Sequence, residues 1–382
     1  MKTGRTLTEL VKELERQTEV RRDYVAPTTK LRAVLEYQTP ERPQVMLAGF
    51  PDGGPLAIGD LAHQQIANDL AIPKSYYDRM RTETPQLLAQ NINHWLQAKP
   101  AEKLVRTLDG RVRAFLSSKY RPLDNMELLT AVLPAFRDLG GITVESAEVT
   151  ETHLYVKAVM PSIRWDLAMA RREAMQQADQ PLHVERPGED VVQAAVMIGN
   201  SEVGHSALFV EEAVYRLVCY NLATVQKTIR KYHVGRRHGK GNGNGDHADD
   251  EVWQLLTDEA RQADDRAFWL RVRDVVRAVF TQERFEANVR RLAGVATDLI
   301  TGSVEKTIEV TAVQFGLSDA TRQNVLRHLI EGADLSRLGL INAVTRASQD
   351  EADYDAATNM ERLSGKILEL PRGEWAQLAQ AA

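Results

Sequence analysis

The spacing of apolar residues changes along the first half of the chain, which predicts a mixture of helices and strands. Apolar residues recur every three or four positions in residues 6–22, 85–97 and 124–139, as they do on the buried face of an amphipathic helix. Residues 58–82 have a similar spacing but are interrupted by Pro73, so we expect two short helices there.

Shorter apolar or alternating runs between these helices predict β-strands. The clearest run is residues 103–118, in which alternation on both sides of Asp109-Gly110 is typical of a β-hairpin. The pattern in residues 207–225 fits both a helix and a strand. Further strand candidates are residues 31–37, 44–50, 142–149, 153–160 and 191–199.

A change in composition divides the chain. Residues 239–250 are rich in glycine, asparagine and acidic residues and lack apolar anchors, which is typical of a flexible linker. Every pattern after this segment is helical. We therefore expect an α+β core domain in residues 1–238, with an antiparallel sheet and packed helices, followed by an all-helical domain in residues 251–382. Within the core domain, the polar residues 163–190 are expected to form an inserted segment.

Composition indicates an ordinary globular protein. The 382 residues are 43% hydrophobic and 26% charged. The sequence contains no apolar run of about 18 residues, so it predicts no transmembrane helix. The charged N-terminus does not resemble a secretory signal. The single cysteine, Cys219, excludes an intrachain disulfide and favours a reducing compartment. We therefore expect a cytoplasmic protein.

The formal net charge of −5 hides a local concentration of basic residues. Residues 227–240 have the sequence KTIRKYHVGRRHGK, which contains no acid. Clustered cations bind a phosphate backbone because they release its condensed counterions, and Tyr232 or His233 can stack on a base. The alternative is a solvated basic loop beside the linker. The cations are Lys227, Arg230, Lys231, Arg236, Arg237 and Lys240.

A second group of cations surrounds the predicted hairpin. Arg111 and Arg113 lie two positions apart on one strand and therefore share a face, and Lys119, Tyr120 and Arg121 follow at its exit. Together with the first group, these residues would complete a groove for a single strand, with Tyr120 as a further stacking platform. Cations on an edge strand can also serve only to prevent aggregation.

Other patterns support rival hypotheses. Residues 60–82 resemble a helix-turn-helix, which would make the protein a sequence-specific DNA-binding regulator, although Tyr77 and Met80 fit packing better than DNA contact. Cys219 and the histidines that follow it supply too few ligands for a structural zinc site. No phosphate-binding loop, nucleophile elbow or zinc-protease motif is present, and no motif indicates a cofactor. A metal-dependent nuclease built from scattered carboxylates and a host-interaction protein that binds no nucleic acid also stay open.

Five segments carry a distinctive combination of residues. They are YVAPTTKL (24–31), VRTLDGRVRAFLSSKYRPLDN (105–125), YRLVCYNLA (215–223), GLINAVTRAS (339–348) and MERLSGKILEL (360–370). In this order they resemble a family of phage- and plasmid-borne proteins catalogued as domain of unknown function 932. The resemblance extends over roughly residues 20–375 and departs at Leu222, where the family pattern has glycine. It implies no established activity and no catalytic residue.

The order of predicted elements is also similar to that of the phage single-strand annealing proteins of the Redβ, RecT and Erf types. In those proteins a helix is followed by three strands and a basic helix, and the predicted elements from residue 124 to residue 240 follow the same order. The leading hypothesis is therefore a non-enzymatic, homo-oligomeric protein that binds or anneals single-stranded DNA in phage or plasmid recombination or replication. The acidic C-terminal region is then a candidate for binding a protein partner or for self-inhibition.

Overall fold

Two β-sheets organise the first part of the protein. A computed structural model describes residues 1–39, 42–51, 53–181, 188–231 and 258–381. The first sheet has six strands in the order β1-β5-β6-β4-β3-β2, and among them only β4 and β6 run parallel. Its strands are β1 Arg22–Pro27, β2 Arg32–Thr39, β3 Arg42–Ala48, β4 Leu56–Ile58, β5 Glu102–Leu108 and β6 Arg111–Ser117.

The hairpin between β5 and β6 confirms the prediction made from its Asp-Gly pair. Asp109 and Gly110 have φ angles of 51° and 70°, and a two-residue type I′ turn requires positive φ at both positions. A glycine adopts this conformation without strain, and aspartate is among the few other residues that tolerate it.

Three helices pack with the six-stranded sheet around one apolar core. Leu47, Val105 and Phe115 of the sheet belong to the same buried cluster as Ile66 and Leu88 of the helices. The two short helices predicted in residues 58–82 and the helix predicted in residues 85–97 are therefore confirmed. These helices are α2 Asp60–Asp69, α3 Lys74–Glu83 and α4 Pro85–Ala98.

The second sheet has five antiparallel strands in the order β11-β10-β9-β8-β7. The ambiguous residues 207–225 form β10 and the start of β11. Their period is hard to assign because both faces of the sheet are buried: Val210 and Val214 belong to one buried cluster, and Phe209 and Tyr215 belong to another. The strands are β7 Thr143–Val149, β8 Leu154–Asp166, β9 Val191–Asn200, β10 Leu208–Arg216 and β11 Asn221–Lys231.

The remaining elements are helical, and all the described elements after residue 258 are helices. The α+β class with an all-helical C-terminal region is therefore confirmed. No helix in the described residues has an apolar stretch long enough to cross a membrane. These helices are α1 Leu7–Val20, α5 Asn125–Leu139, α6 Leu167–Gln177, α7 Asp258–Val279, α8 Gln282–Gly294, α9 Val304–Phe315, α10 Asp319–Gly332, α11 Arg337–Ala347, α12 Tyr354–Glu369 and α13 Arg372–Ala379, with a short 3-10 turn at Val295–Thr297.

The C-terminal helices share their core with the five-stranded sheet. Val156 and Val196 on one face of the sheet belong to the same buried cluster as Val272 of α7 and Val344 of α11. On the opposite face, Tyr155 and Phe209 pack with Tyr354 at the start of α12. Helices that precede the predicted linker in sequence and helices that follow it therefore enclose one sheet.

The predicted inserted segment is partly regular structure. Residues 163–166 continue β8, and α6 follows with Leu167 and Met175 buried. Residues 182–187 of this segment and residues 239–250 of the predicted linker lie outside the described residues.

Candidate functional site

The predicted basic segment begins on β11, which lies at one edge of the five-stranded sheet. β11 pairs antiparallel with β10, so that Lys231 at its end is opposite Leu208 at the beginning of β10. Lys227, Arg230 and Lys231 therefore occupy the second half of an edge strand. Outside the described residues lie Tyr232, His233, Arg236, Arg237 and Lys240.

The basic end of β11 lies at the end of the sheet that also carries the β7–β8 and β9–β10 turns. Leu154 begins β8 opposite Asn200, the last residue of β9. Leu208 then begins β10 opposite Lys231. We call this end, formed by residues 150–153, residues 201–207 and Lys231, the turn end.

The predicted hairpin cluster packs against the same turn end. The hydroxyl of Tyr120 donates to the carbonyl oxygen of Ser201 at 3.1 Å. Nη2 of Arg113 donates to Oε2 of Glu202 at 2.6 Å. The fold therefore brings the two predicted cation groups, which are far apart in sequence, to one end of one sheet.

Not all residues of the hairpin cluster face solvent. Burial lowers the pKa of Arg113, whose guanidinium is bonded to Glu202, and burial raises the pKa of Tyr120. Nη1 of Arg121 lies 3.1 Å from Oδ2 of Asp264 on α7. Since these three side chains make internal contacts, the exposed members of the hairpin cluster are Arg111 and Lys119.

The acidic residues on β10 are engaged with helices. Glu211, which is opposite Lys227 in the strand register, accepts hydrogen bonds from Nη2 and Nε of Arg362 at 2.7 and 3.0 Å. Glu212 accepts a hydrogen bond from Nδ2 of Asn288 at 2.6 Å and pairs with Arg284. These carboxylates therefore bond to side chains of α12 and α8.

The helix-turn-helix-like segment is mainly a packing unit. Tyr77 and Met80 of α3 are 0% and 1% exposed. The hydroxyl of Tyr77 lies 2.8 Å from Nδ1 of the buried His63 on α2. Part of the charge on the exposed surface of α3 is neutralised within the helix, because Lys74 forms an ion pair with Asp78 on the next turn.

A third group of polar residues at the turn end was not identified from the sequence. His153 lies at the end of the β7–β8 turn, Ser206 lies on the β9–β10 turn, and Asp355 lies in the first turn of α12. Oγ of Ser206 is 2.9 Å from Nε2 of His153, and Oδ1 of Asp355 is 3.3 Å from Nδ1 of the same ring. No short motif joins these residues, so sequence spacing alone offers no signal for the group.

In the described part of the chain, no group of three or more histidine, cysteine, aspartate or glutamate side chains is placed to hold a metal ion.

Comparisons of the chain with family models, with curated proteins and with solved structures find no match. The resemblance stated above to domain of unknown function 932 stays a prediction.

Proposed function

We propose that the protein binds single-stranded DNA at the turn end of its five-stranded sheet and promotes annealing in phage or plasmid recombination or replication. One observation carries the proposal. The edge strand β11 leads into the acid-free cationic run at the same end of the sheet where the hairpin cluster packs.

The pairing of the acidic residues on β10, the strand beside β11, supports the proposal. A phosphate backbone requires cations whose charge is not neutralised by nearby carboxylates. The carboxylates of Glu211 and Glu212 are bonded to side chains of α12 and α8. Arg111 and Lys119 are exposed, so they can add to the positive potential of the basic run.

The aromatic residues of the basic run favour a single strand over a duplex. Tyr232 and His233 lie among the cations, and an aromatic ring can stack only on a base that is free of its partner strand. Recognition of a duplex by the helix-turn-helix-like segment has less support, because Tyr77 and Met80 of α3 are buried.

A salt titration tests the proposal. We expect log affinity for a single-stranded oligonucleotide to fall linearly with log salt, with a slope of about −0.7 per phosphate contact. Replacing both Arg236 and Arg237 by alanine should flatten the slope by roughly 1.4 and weaken all sequences about equally, because phosphate contacts carry no base information. The matched control replaces the exposed Arg79 and Arg137 by alanine, which removes the same charge from helices outside the basic run and should leave the slope unchanged.

The Tyr232→Ala variant separates stacking from charge. It should weaken binding by about 1–3 kcal/mol while it leaves the salt slope nearly unchanged. No binding by the parent protein at low salt, or equal slopes in the parent and the Arg236/Arg237 variant, would contradict the proposal and favour the host-interaction hypothesis.

Two further arms of the same experiment address the other rivals. Tighter binding to a specific duplex than to a single strand would favour the regulator hypothesis. Loss of input DNA in the presence of magnesium or manganese would favour the nuclease hypothesis.

A further inference from the structure

The geometry points to a second, chemical activity at the turn end: Ser206, His153 and Asp355 form a nucleophile–base–acid triad that hydrolyses carboxylic esters. The assignment does not rest on DNA binding. It follows from the contacts of the three residues, and triads of this kind are recognised by geometry and roles rather than by sequence position.

The first requirement is a base within reach of the nucleophile. Oγ of Ser206 lies 2.9 Å from Nε2 of His153, which is within the range expected for a nucleophile and its base. The His153 ring is held in place because it stacks on Tyr155, with ring centroids 5.1 Å apart and planes inclined by 20°. His153 is only 7% exposed, so the base has little freedom to turn away.

The second requirement is the correct tautomer of the base. Oγ1 of Thr152 lies 2.7 Å from Oδ2 of Asp355 and 2.8 Å from Nδ1 of His153. Burial alone would raise the pKa of Asp355, but the adjacent His153 ring and the hydrogen bond from Thr152 hold it at about 2, so the carboxylate is ionised and can only accept. The Thr152 hydroxyl must therefore donate to Asp355, and its oxygen faces an N–H at Nδ1. In the neutral ring this leaves Nε2 as the acceptor for the Ser206 proton.

The third requirement is access, together with a donor for the developing oxyanion. Ser206 is partly exposed, and its neighbours Gly204 and His205 are exposed. The backbone N–H of Ser206 donates no hydrogen bond within the described residues. An N–H of the nucleophile itself, beside the attacked carbonyl, is one of the positions used to stabilise an oxyanion.

The reaction follows from this arrangement. Oγ of Ser206 attacks the ester carbonyl carbon while Nε2 of His153 takes the hydroxyl proton, and the tetrahedral oxyanion forms. The carbon–oxygen bond to the alcohol then breaks, the alcohol leaves with the proton from His153, and an acyl ester on Ser206 remains. Water repeats the same two steps, so that the carboxylic acid is released and Ser206 is restored.

A purely structural role is the competing explanation. Asp355 lies in the first turn of α12, and its bonds to Thr150 and Thr152 tie that turn to the β7–β8 turn. A structural role predicts that substitutions change stability alone. A catalytic role predicts that Ser206 is chemically reactive, and this can be measured separately from stability.

The test uses the 382-residue chain with two probes. A fluorophosphonate should label Ser206, because its Oγ forms the bond to phosphorus, fluoride leaves and His153 takes the proton; peptide mass spectrometry locates the adduct. Hydrolysis of p-nitrophenyl acetate should show a burst followed by turnover. Ser206→Ala should abolish the labelling and the burst, and the exposed Ser75→Ala should retain both.

Variants of the base and of the acid complete the test. His153→Gln and Asp355→Asn keep similar side-chain volumes and should lower the hydrolysis rate by about 10²–10⁴-fold. Circular dichroism checks that each variant is folded, and Ser206→Ala provides the decisive result if either is not. Absence of label from Ser206 in the parent protein, or a hydrolysis rate unchanged by Ser206→Ala, would overturn the assignment.

Discussion

A buried ion pair between Lys157 and Glu361 joins β8 to α12. Lys157 lies at the centre of β8, whose other face alternates apolar residues as predicted, and a lysine there would normally indicate a solvated face. In the structure Nζ of Lys157 lies 2.6 Å from Oε2 of Glu361, and both side chains are 0% exposed. Burial of a charge requires a partner, and here the partner is supplied by α12. The pattern on one strand could not reveal a partner so far along the chain.

His63 gives a residue-scale prediction about pH. Burial, and secondarily the charge of Arg81, lowers its pKa from 6.5 to about 3. Between these values the unfolded chain binds a proton that the folded protein does not. Stability should therefore fall as pH decreases from 6.5 towards 3, by up to about 1.4 kcal/mol per pH unit from this group.

The His63→Gln variant measures this contribution by urea unfolding at several pH values. Its free energy of unfolding should depend less steeply on pH than that of the parent between pH values of about 6.5 and 4.5. Replacement of the exposed His94 by glutamine is the control and should leave the slope unaltered. Parallel curves for the parent and the His63 variant would show that burial does not keep His63 neutral.

At the scale of elements, local signals predicted most boundaries. Helix α5 begins next to residue 124, where the predicted helix starts, and Asp124 and Glu127 form a capping box there. The sequence did not predict the second role of Asp124, which also pairs with Arg106 and Arg21. Such long-range pairs depend on the packing of separate elements, and residue spacing carries no record of them.

Helix α5 allows an element-scale prediction about packing. Its apolar face was predicted from residue spacing, and Leu129 and Phe136 are 1% and 7% exposed. The ring of Phe136 meets that of Phe280 edge-to-face, with centroids 6.5 Å apart. Truncation of Phe136 to alanine should therefore lower the free energy of unfolding by about 3–5 kcal/mol.

Denaturant unfolding with a matched variant tests this packing. Leu87→Ala on α4 removes another apolar side chain, but Leu87 is 40% exposed, so its loss should cost under about 1 kcal/mol. Similar losses for the two variants would show that the inward face of α5 is wrongly assigned.

At the scale of the whole molecule, the sequence predicted the fold class but not which parts share a core. The pattern of residues 153–160 and 191–199 indicated strands, that of residues 207–225 was ambiguous, and the periodicity after residue 258 indicated helices. Neither pattern says that α12 lies across one face of the sheet. The turn end could not be predicted for the same reason: residues 150–153, residues 201–207 and Lys231 are brought together by antiparallel pairing between distant parts of the chain.

This shared core changes what proteolysis should reveal. Residues 239–250 combine glycine, asparagine and acid without an apolar anchor, so limited proteolysis should cut there first. If the parts before and after the cut were independent domains, they would then separate from each other. The structure favours continued association, because Val225 of β11 and Val272 of α7 belong to one buried cluster and Oγ of Ser364 accepts the backbone N–H of Thr224 at 2.9 Å.

We therefore expect the two pieces of the cut protein to elute together at the size of the intact chain in size-exclusion chromatography. The same sample in urea is the control, since loss of the buried apolar contacts should release two smaller species. Elution as two folded species without denaturant would mean that the sheet and the C-terminal helices form separate cores. First cuts within residues 105–160 would instead contradict the position of the predicted linker, because that range contains β6, α5 and β7 and its backbone should be protected by strand pairing and helix packing.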